Sequence, residues 1–424
     1  SIFCAFCGSE FAGVGGLCEF CRMAEEAGEK LAKRYKILSF YKGESASGSS
    51  FRLSDGISAV FRNNSDYLKG EIVSYRISDI EEGEFQMNGI ISRTLSSYVP
   101  SAGDKDVKEH MKKVCNKNVC PAYAGCEVKN NQGSSLTFQC IALGDKEFAE
   151  NKNGNIDVYG DDLLGVLKGD VDDLGKMMKR FSKSPDYTMS AMLQFSYQLD
   201  YFFSSVVPYK ISRSGDIKHK LTYVLYSGGD DFILIGPWRS LLNLSFDMRK
   251  WFRDYTGGVL RFSAGLALFK PRAPLKWAVK SADDALFYAK QQAGKDKLCL
   301  YLGDEKFLIN WGEYDSGLEN LLVGAVKSGI LSRSRINRFI NLRNMAVRTK
   351  EKGKEKLALK NYLYVSYFRY IQNRDLRGKK GRNLEELEKV YNALMSYFAS
   401  DVDAGNLKYL GMVLNISLIR TRRC

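Results

Sequence analysis

The sequence predicts an α+β protein built around a ferredoxin-like layer, preceded by a four-cysteine ribbon and a small β-rich segment and followed by basic helices. Three observations predict it. Between Asp162 and Gly303, apolar runs of strand length alternate with helical-period stretches in the order strand, helix, hairpin, helix, strand, helix, strand, as expected of helices packed on an antiparallel sheet. The first 21 residues hold two C-x2-C pairs. From Trp311 onward the apolar spacing is helical and Lys and Arg dominate.

The elements follow in order. Residues 1–36 read as a ribbon and a helix: Cys4, Cys7, Cys18 and Cys21 place two thiolates on each of two tight turns, and four thiolates close a tetrahedral Zn²⁺ shell with no open position. That predicts a folding role. Residues 37–158 read as short strands to about Pro100, then as Lys-, Asn- and Gly-rich loop. Cys115, Cys120, Cys126 and Cys140 lie there at irregular spacings and are either a second metal site or ordinary thiols. Metal-type spacing in a 424-residue chain points to a reducing compartment.

Residues 159–310 form the central domain. "LLGVLKGD" is a strand ending at Asp170, and a helix starts near Leu174; one of Asp172 and Asp173 could assist Asp170 at an acidic site, or either could simply cap that helix. "SAMLQFSYQLDYFFSSVV" reads as one long helix, "LTYVLYSGGDDFILIG" as a hairpin, and "LRFSAGLALF" and "KLCLYLG" as strands flanking a helix. Residues 311–424 are helical. In "NLEELEKVYNALMSYFAS", Asn383 is the expected cap with Glu386 three residues on. Residues 333–424 carry 21 Lys and Arg against 8 Asp and Glu, nearly all of the chain's +14 charge. That region suits nucleic acid or an acidic partner; a solvated helical surface is the bland alternative. No apolar run approaches the roughly 18–20 residues of a membrane helix, and "SIFCAFCGSE" lacks the basic and apolar parts of a secretory signal. A cytoplasmic protein is expected.

The chemistry centres on "YSGGDDF". Gly228 and Gly229 permit a tight turn and close approach of a ligand to backbone. Asp230 and Asp231 then stand side by side, and two adjacent carboxylates call for a cation. Asp170, at the end of the preceding strand, is the expected partner in an oxygen-rich site for Mg²⁺ or Mn²⁺. Lys290, Lys295 and Lys297 lie at the end of "ADDALFYAKQQAGKDKL", placed to hold phosphates or simply to neutralise a helix C-terminus.

"DVDDLG", "YSGGDDF", "FSAGLA" and "ADDALFYAKQQAGK" in this order resemble the palm of diguanylate-type nucleotidyl cyclases. The fuller match, including "GPW", the four-cysteine element and the helical end, is to the large subunit of type III CRISPR effector complexes of the Csm type. The resemblance implies a nucleotidyl-cyclase/polymerase palm that makes cyclic oligoadenylates from ATP when its complex binds target RNA. It implies other complex subunits, guide RNA and target RNA as partners. Asp170, Asp230 and Asp231 would be catalytic and, with the Val171 carbonyl, hold the metal; Ser227, Gly228, Gly229, Lys290 and Lys295 would meet the nucleotide. One extra residue separates the Ala-Lys pair from the Gly-basic pair relative to the cyclase pattern.

Two departures stand out. The family's nuclease domain needs several histidines, and this chain has only His110 and His219. The family's first palm has no counterpart before Cys4, so the expectation is the C-terminal portion of a longer or split subunit. A free-standing cyclic-dinucleotide synthase and an inactive palm serving as an RNA-binding scaffold are the alternatives.

Overall fold

The computed structural model describes residues 98–126, 135–150, 155–303, 305–350, 363–398 and 404–423, with shorter stretches among the first 97. Near the N-terminus, Ile37–Lys42 (β1), Ser50–Ser54 (β2), Ile57–Arg62 (β3), Glu71–Arg76 (β4) and Ser92–Thr94 (β5) make a sheet ordered β2-β3-β1-β4-β5. Alternation along β1 buries Ile37, Ser39 and Tyr41, as a one-sided sheet requires.

The described residues between 101 and 160 hold more regular structure than their polar composition predicts. Lys105–Lys112 (α1) is capped by Asp104, whose carboxylate accepts the Asp106 and Val107 N–H groups at 2.9 and 3.1 Å. Phe138–Ala142 (α2) is capped by the Thr137 hydroxyl. Glu147–Glu150 (β6) pairs with Ile156–Tyr159 (β7). Val107, Met111, Ile141 and Leu143 bury themselves against Leu164, Val166, Ile235 and Ala278 of the central domain. A few apolar residues on one face of each short helix suffice, and they are diluted beyond recognition in the linear sequence.

The central sheet is built on Leu164–Val171 (β8). Helices Leu174–Phe181 (α3), Met189–Tyr201 (α4) and Val207–Ser212 (α5) lead to the hairpin of Tyr223–Gly228 (β9) and Asp231–Pro237 (β10). Trp238–Tyr255 (α6), Phe262–Phe269 (β11), Leu275–Gln291 (α7), Lys297–Leu302 (β12) and Glu305–Asn310 (β13) complete it. The order is β13-β12-β11-β8-β10-β9, with β11 and β12 parallel and the other pairs antiparallel. Its four strands β11-β8-β10-β9 have the ferredoxin-like order. Strand β13, which the sequence reading stopped short of at Gly303, adds an outer strand.

Both faces of this sheet are covered. On one, Leu167, Val171, Phe232 and Leu234 pack with α6 and with Phe202 and Phe203; each fully buried Phe stabilises the fold by about 2–3 kcal/mol. The expected single long helix is interrupted by a π-helical turn at Phe202–Val206. Pro208, which has no N–H to donate, follows just beyond the wider turn, and both phenylalanine rings are completely buried. On the other face α7 lies so close to β11 that a Cβ at Gly265 would fall 2.2 Å from the Ala282 carbonyl oxygen. Its buried Ala278, Ala282, Ala285 and Ala289 permit that approach and carry Lys290 down to the end of β8.

Gly317–Lys327 (α8), Arg333–Lys350 (α9), Tyr364–Leu376 (α10), Arg382–Met395 (α11) and Ala404–Arg420 (α12) share a second core around Phe339, Phe368, Tyr391 and Phe398. Met412 and Ile416 of α12 also join the core of the central sheet. Arg420 bonds Glu147 at 2.7 Å and Glu319 at 2.6 Å. Asn383 is not the cap of α11: the helix starts one residue earlier after Gly381, with no side-chain cap, and Glu386 pairs with Arg382 at 2.7 Å instead. Among the described residues no helix is long and apolar enough to cross a membrane.

Candidate active site

The β9–β10 turn consists of Gly229 and Asp230, with Gly229 in the left-handed region at φ 60°. Directly beyond it, Asp231 is the cross-strand partner of Asp170, and the Val171 N–H donates to the Asp230 carbonyl at 3.0 Å. Opposed residues in an antiparallel pair share a sheet face with Cβ atoms about 5 Å apart. Register alone thus brings Asp170 and Asp231 together, with Asp230 next in the chain. Burial and the charge of Asp230 push the Asp231 carboxyl above its usual range, against the Tyr226 hydroxyl and Lys168, which pull it down.

The lysines arrive from α7. Lys290 makes an ion pair with Asp170 and approaches the Val171 carbonyl oxygen at 3.4 Å; burial and neighbouring Lys295 lower its pKa to about 8. Lys295 Nζ donates to Asp173 Oδ1 at 2.8 Å. Lys297 turns back to the Ala293 and Lys295 carbonyls at 2.9 and 3.1 Å, closing the loop after α7.

Three expectations need correction. Ser227, expected at the nucleotide, is buried and donates its hydroxyl to the Phe203 carbonyl at 2.6 Å. It pairs in register with Phe232, so strand alternation sends it to the core face, away from the acids. Asp173 takes the cap position of α3, but in a left-handed conformation its side chain makes no capping bond and bonds Lys295 and Lys176 instead. Asp172 is buried and accepts from the Ser263 hydroxyl at 2.8 Å and the Asp296 N–H at 2.9 Å.

Sequence reasoning missed Asp200. From α4 it accepts the Gly229 N–H at 2.8 Å, fixing the turn that presents Asp230. It also missed Tyr226, which donates to the Gly228 carbonyl at 3.2 Å and contacts Asp231. A lone acid in the apolar stretch "QFSYQLDYFF" was the available signal for Asp200.

Among the described residues, no three His, Cys, Asp or Glu side chains close on one point as metal ligands. The donor chemistry of Asp170, Asp230, Asp231 and the Val171 carbonyl is all oxygen and suits a hard divalent cation; burial, and then the Asp230 charge, raise the Asp231 carboxyl. Cys4 and Cys7 lie outside the described residues. Cys18 and Cys21 are buried, with the Cys21 N–H aimed at Cys18 Sγ at 3.4 Å. Cys115 lies near Cys140, Cys120 and Cys126; burial and then these neighbours push its thiol up to about 11.

Residues 163–299 match the family model of the Cas10/Cmr2 second palm domain. The Cas10/Csm1 single-strand-specific deoxyribonuclease of the subtype III-A CRISPR system of Mycobacterium tuberculosis is 30% identical over 162 residues, 35% of this chain and 20% of its own length. This segment of the chain is similar to the Cas10 second palm domain. The chain's fold resembles that of the Csm1–Csm4 cassette in complex with pppApApA, with a TM-score of 0.59 at 19% identity, covering 91% of this chain and 49% of that one. The cassette in complex with cA3 gives 0.54 at 19% identity, covering 91% and 48%. The chain thus spans about a fifth of the curated Cas10/Csm1 relative and about half of the solved chains. The matched palm segment contains all of the acids and lysines described above.

Proposed function

We propose that this chain supplies the ATP-joining palm, assigned to residues 159–310, of a type III-A CRISPR effector subunit. In this reading it makes cyclic oligoadenylates in the cytoplasm when its complex binds target RNA. The observation that carries the reading is the cross-strand pairing of Asp170 with Asp231 beneath Lys290. Similarity to cassettes solved with pppApApA and with cA3 supports adenylate as the substrate class.

In the reaction a 3′-hydroxyl oxygen bonds to the α-phosphorus of the next ATP, pyrophosphate departs and the hydroxyl proton is released. Asp231 would complete the site and help activate the attacking hydroxyl. Lys290 and Lys295 hold the triphosphate oxygens, and Gly228 and Gly229 let the nucleotide lie against the turn. Asp170, Asp230, Asp231 and the Val171 carbonyl would hold Mg²⁺ or Mn²⁺, which when bound supplies Lewis-acid neutralisation of the triphosphate. Cys4, Cys7, Cys18 and Cys21 would hold a structural Zn²⁺. The basic helices from Arg333 onward meet guide or target RNA, or the other subunits.

The test is the mass of products formed by the assembled complex from ATP, Mg²⁺ and target RNA. Cyclic oligoadenylates support the reading. A complex that binds target RNA yet forms only cyclic dinucleotides from GTP, or no nucleotide product, overturns it.

A further inference from the structure

The loop that carries Lys295 holds an unusual backbone. Gly294, Lys295 and Asp296 have φ values of 81°, 44° and 52°, and consecutive non-glycine residues in the left-handed region persist only where the surroundings hold them. Two holds converge on Asp296. Its N–H donates to buried Asp172 at 2.9 Å, an acid also bonded by Ser263 at 2.8 Å. Its carboxylate receives both Nε and Nη2 of Arg249, at 2.7 and 2.9 Å, from helix α6. Arg249 is largely buried and gives Asp296 a two-point ionic clamp; Arg261 stands farther off at 3.9 Å.

This arrangement answers an electrostatic difficulty. A carboxylate beside a phosphate-holding lysine would repel a triphosphate. Arg249 turns the Asp296 charge toward α6 and neutralises it there, leaving Lys295 to reach toward the β8 end, where it meets Asp173. We propose that Arg249 is a positioning residue: by neutralising the Asp296 carboxylate it keeps an uncompensated negative charge away from a triphosphate held by Lys295. This rests on the reading of Lys295 as a phosphate ligand.

The experiment measures ATP kinetics and radiolabelled-ATP binding on the assembled complex, with hydrogen exchange over residues 292–297. Arg249→Met should raise the KM and Kd for ATP about tenfold, change kcat less than about twofold and speed exchange in the loop. Asp296→Asn, which tolerates the left-handed turn and keeps the N–H bond to Asp172, should stay near wild type. The Arg249→Met/Asp296→Asn double variant should recover most of the lost affinity, because the unpaired carboxylate is gone. A role confined to stability would give no such recovery. If Lys295→Ala raises KM while Arg249→Met does not, or if the double variant is no better than Arg249→Met, the inference is wrong. If Lys295→Ala leaves both KM and Kd unchanged, the phosphate reading of Lys295 falls and takes the inference with it.

Discussion

Asp170 and Asp231 are direct cross-strand neighbours on β8 and β10, and Lys290 reaches Asp170 from the end of α7. Removing either acid therefore removes one side of the same small anionic surface. Asp170→Ala, and separately Asp230→Ala/Asp231→Ala, should lower ATP turnover by at least about a hundredfold while the thermal unfolding midpoint stays within a few degrees. Wild-type turnover in the double variant would remove these acids from the chemistry.

Asp200 has a narrower role. Asp200→Ala leaves the Gly229 N–H without its acceptor at the turn, a loss of about 1–2 kcal/mol for a charged acceptor. Activity should fall about tenfold, and Asp200→Asn, which still offers an oxygen, should retain more. Equal losses in the two variants would argue against the hydrogen bond as the cause.

Gly169 lies beneath the Phe232 ring: an added Cβ would sit 2.2 Å from the ring tip. That ring is fully buried and stacked on Phe203, so it has nowhere to move. Gly169→Ala should cost about 1–3 kcal/mol or more, read as a lower denaturation midpoint with an unchanged slope.

Glu147 ties the β6–β7 hairpin to α12. Burial works against its ionisation, yet hydrogen bonds from Arg420 and Lys327 hold its pKa at about 2 instead of 4.5. A depressed carboxylate stabilises the fold above its unfolded pKa and loses that contribution as pH falls through the folded value. Up to about 3 kcal/mol should be present above roughly pH 5 and disappear toward pH 2. Denaturation of wild type and Glu147→Gln should differ at pH 7 and converge near pH 2; a constant difference would contradict the ionic account.

The two C-x2-C pairs of Cys4, Cys7, Cys18 and Cys21 predict bound zinc. Elemental analysis should find zinc in the purified chain, and Cys18→Ser should lower its content and the folding stability together. Zinc content indifferent to Cys18 would place the metal elsewhere.

Much of the central domain was legible because its signals are local. Apolar alternation marks β8 to β12, glycines mark the hairpin turn, and the acids stand at strand ends in plain sequence. The misreadings share a physical cause. Ser227 seemed to belong with its neighbours Gly228 and Gly229, yet the pleat sends successive side chains to opposite faces, and Ser227 went to the core. Asp172 and Asp173 looked like helix caps because short acids before a helix usually are. Lysine and backbone partners more than 120 positions away took them instead. The polar stretch before residue 160 hid two short helices whose few apolar residues gain their meaning only against the sheet.

The sequence by itself determined the kinds of element, their order and the presence of three acids with lysines behind them, since these depend on side-chain period and turn chemistry within a few residues. Only the tertiary structure decided that Asp231 faces Asp170, that the alanine stripe of α7 lowers Lys290 onto that pair and that Arg249 clamps Asp296. Those are consequences of strand register and helix approach. One-residue slips in register leave the local pattern almost unchanged but would send every one of these side chains to the wrong face.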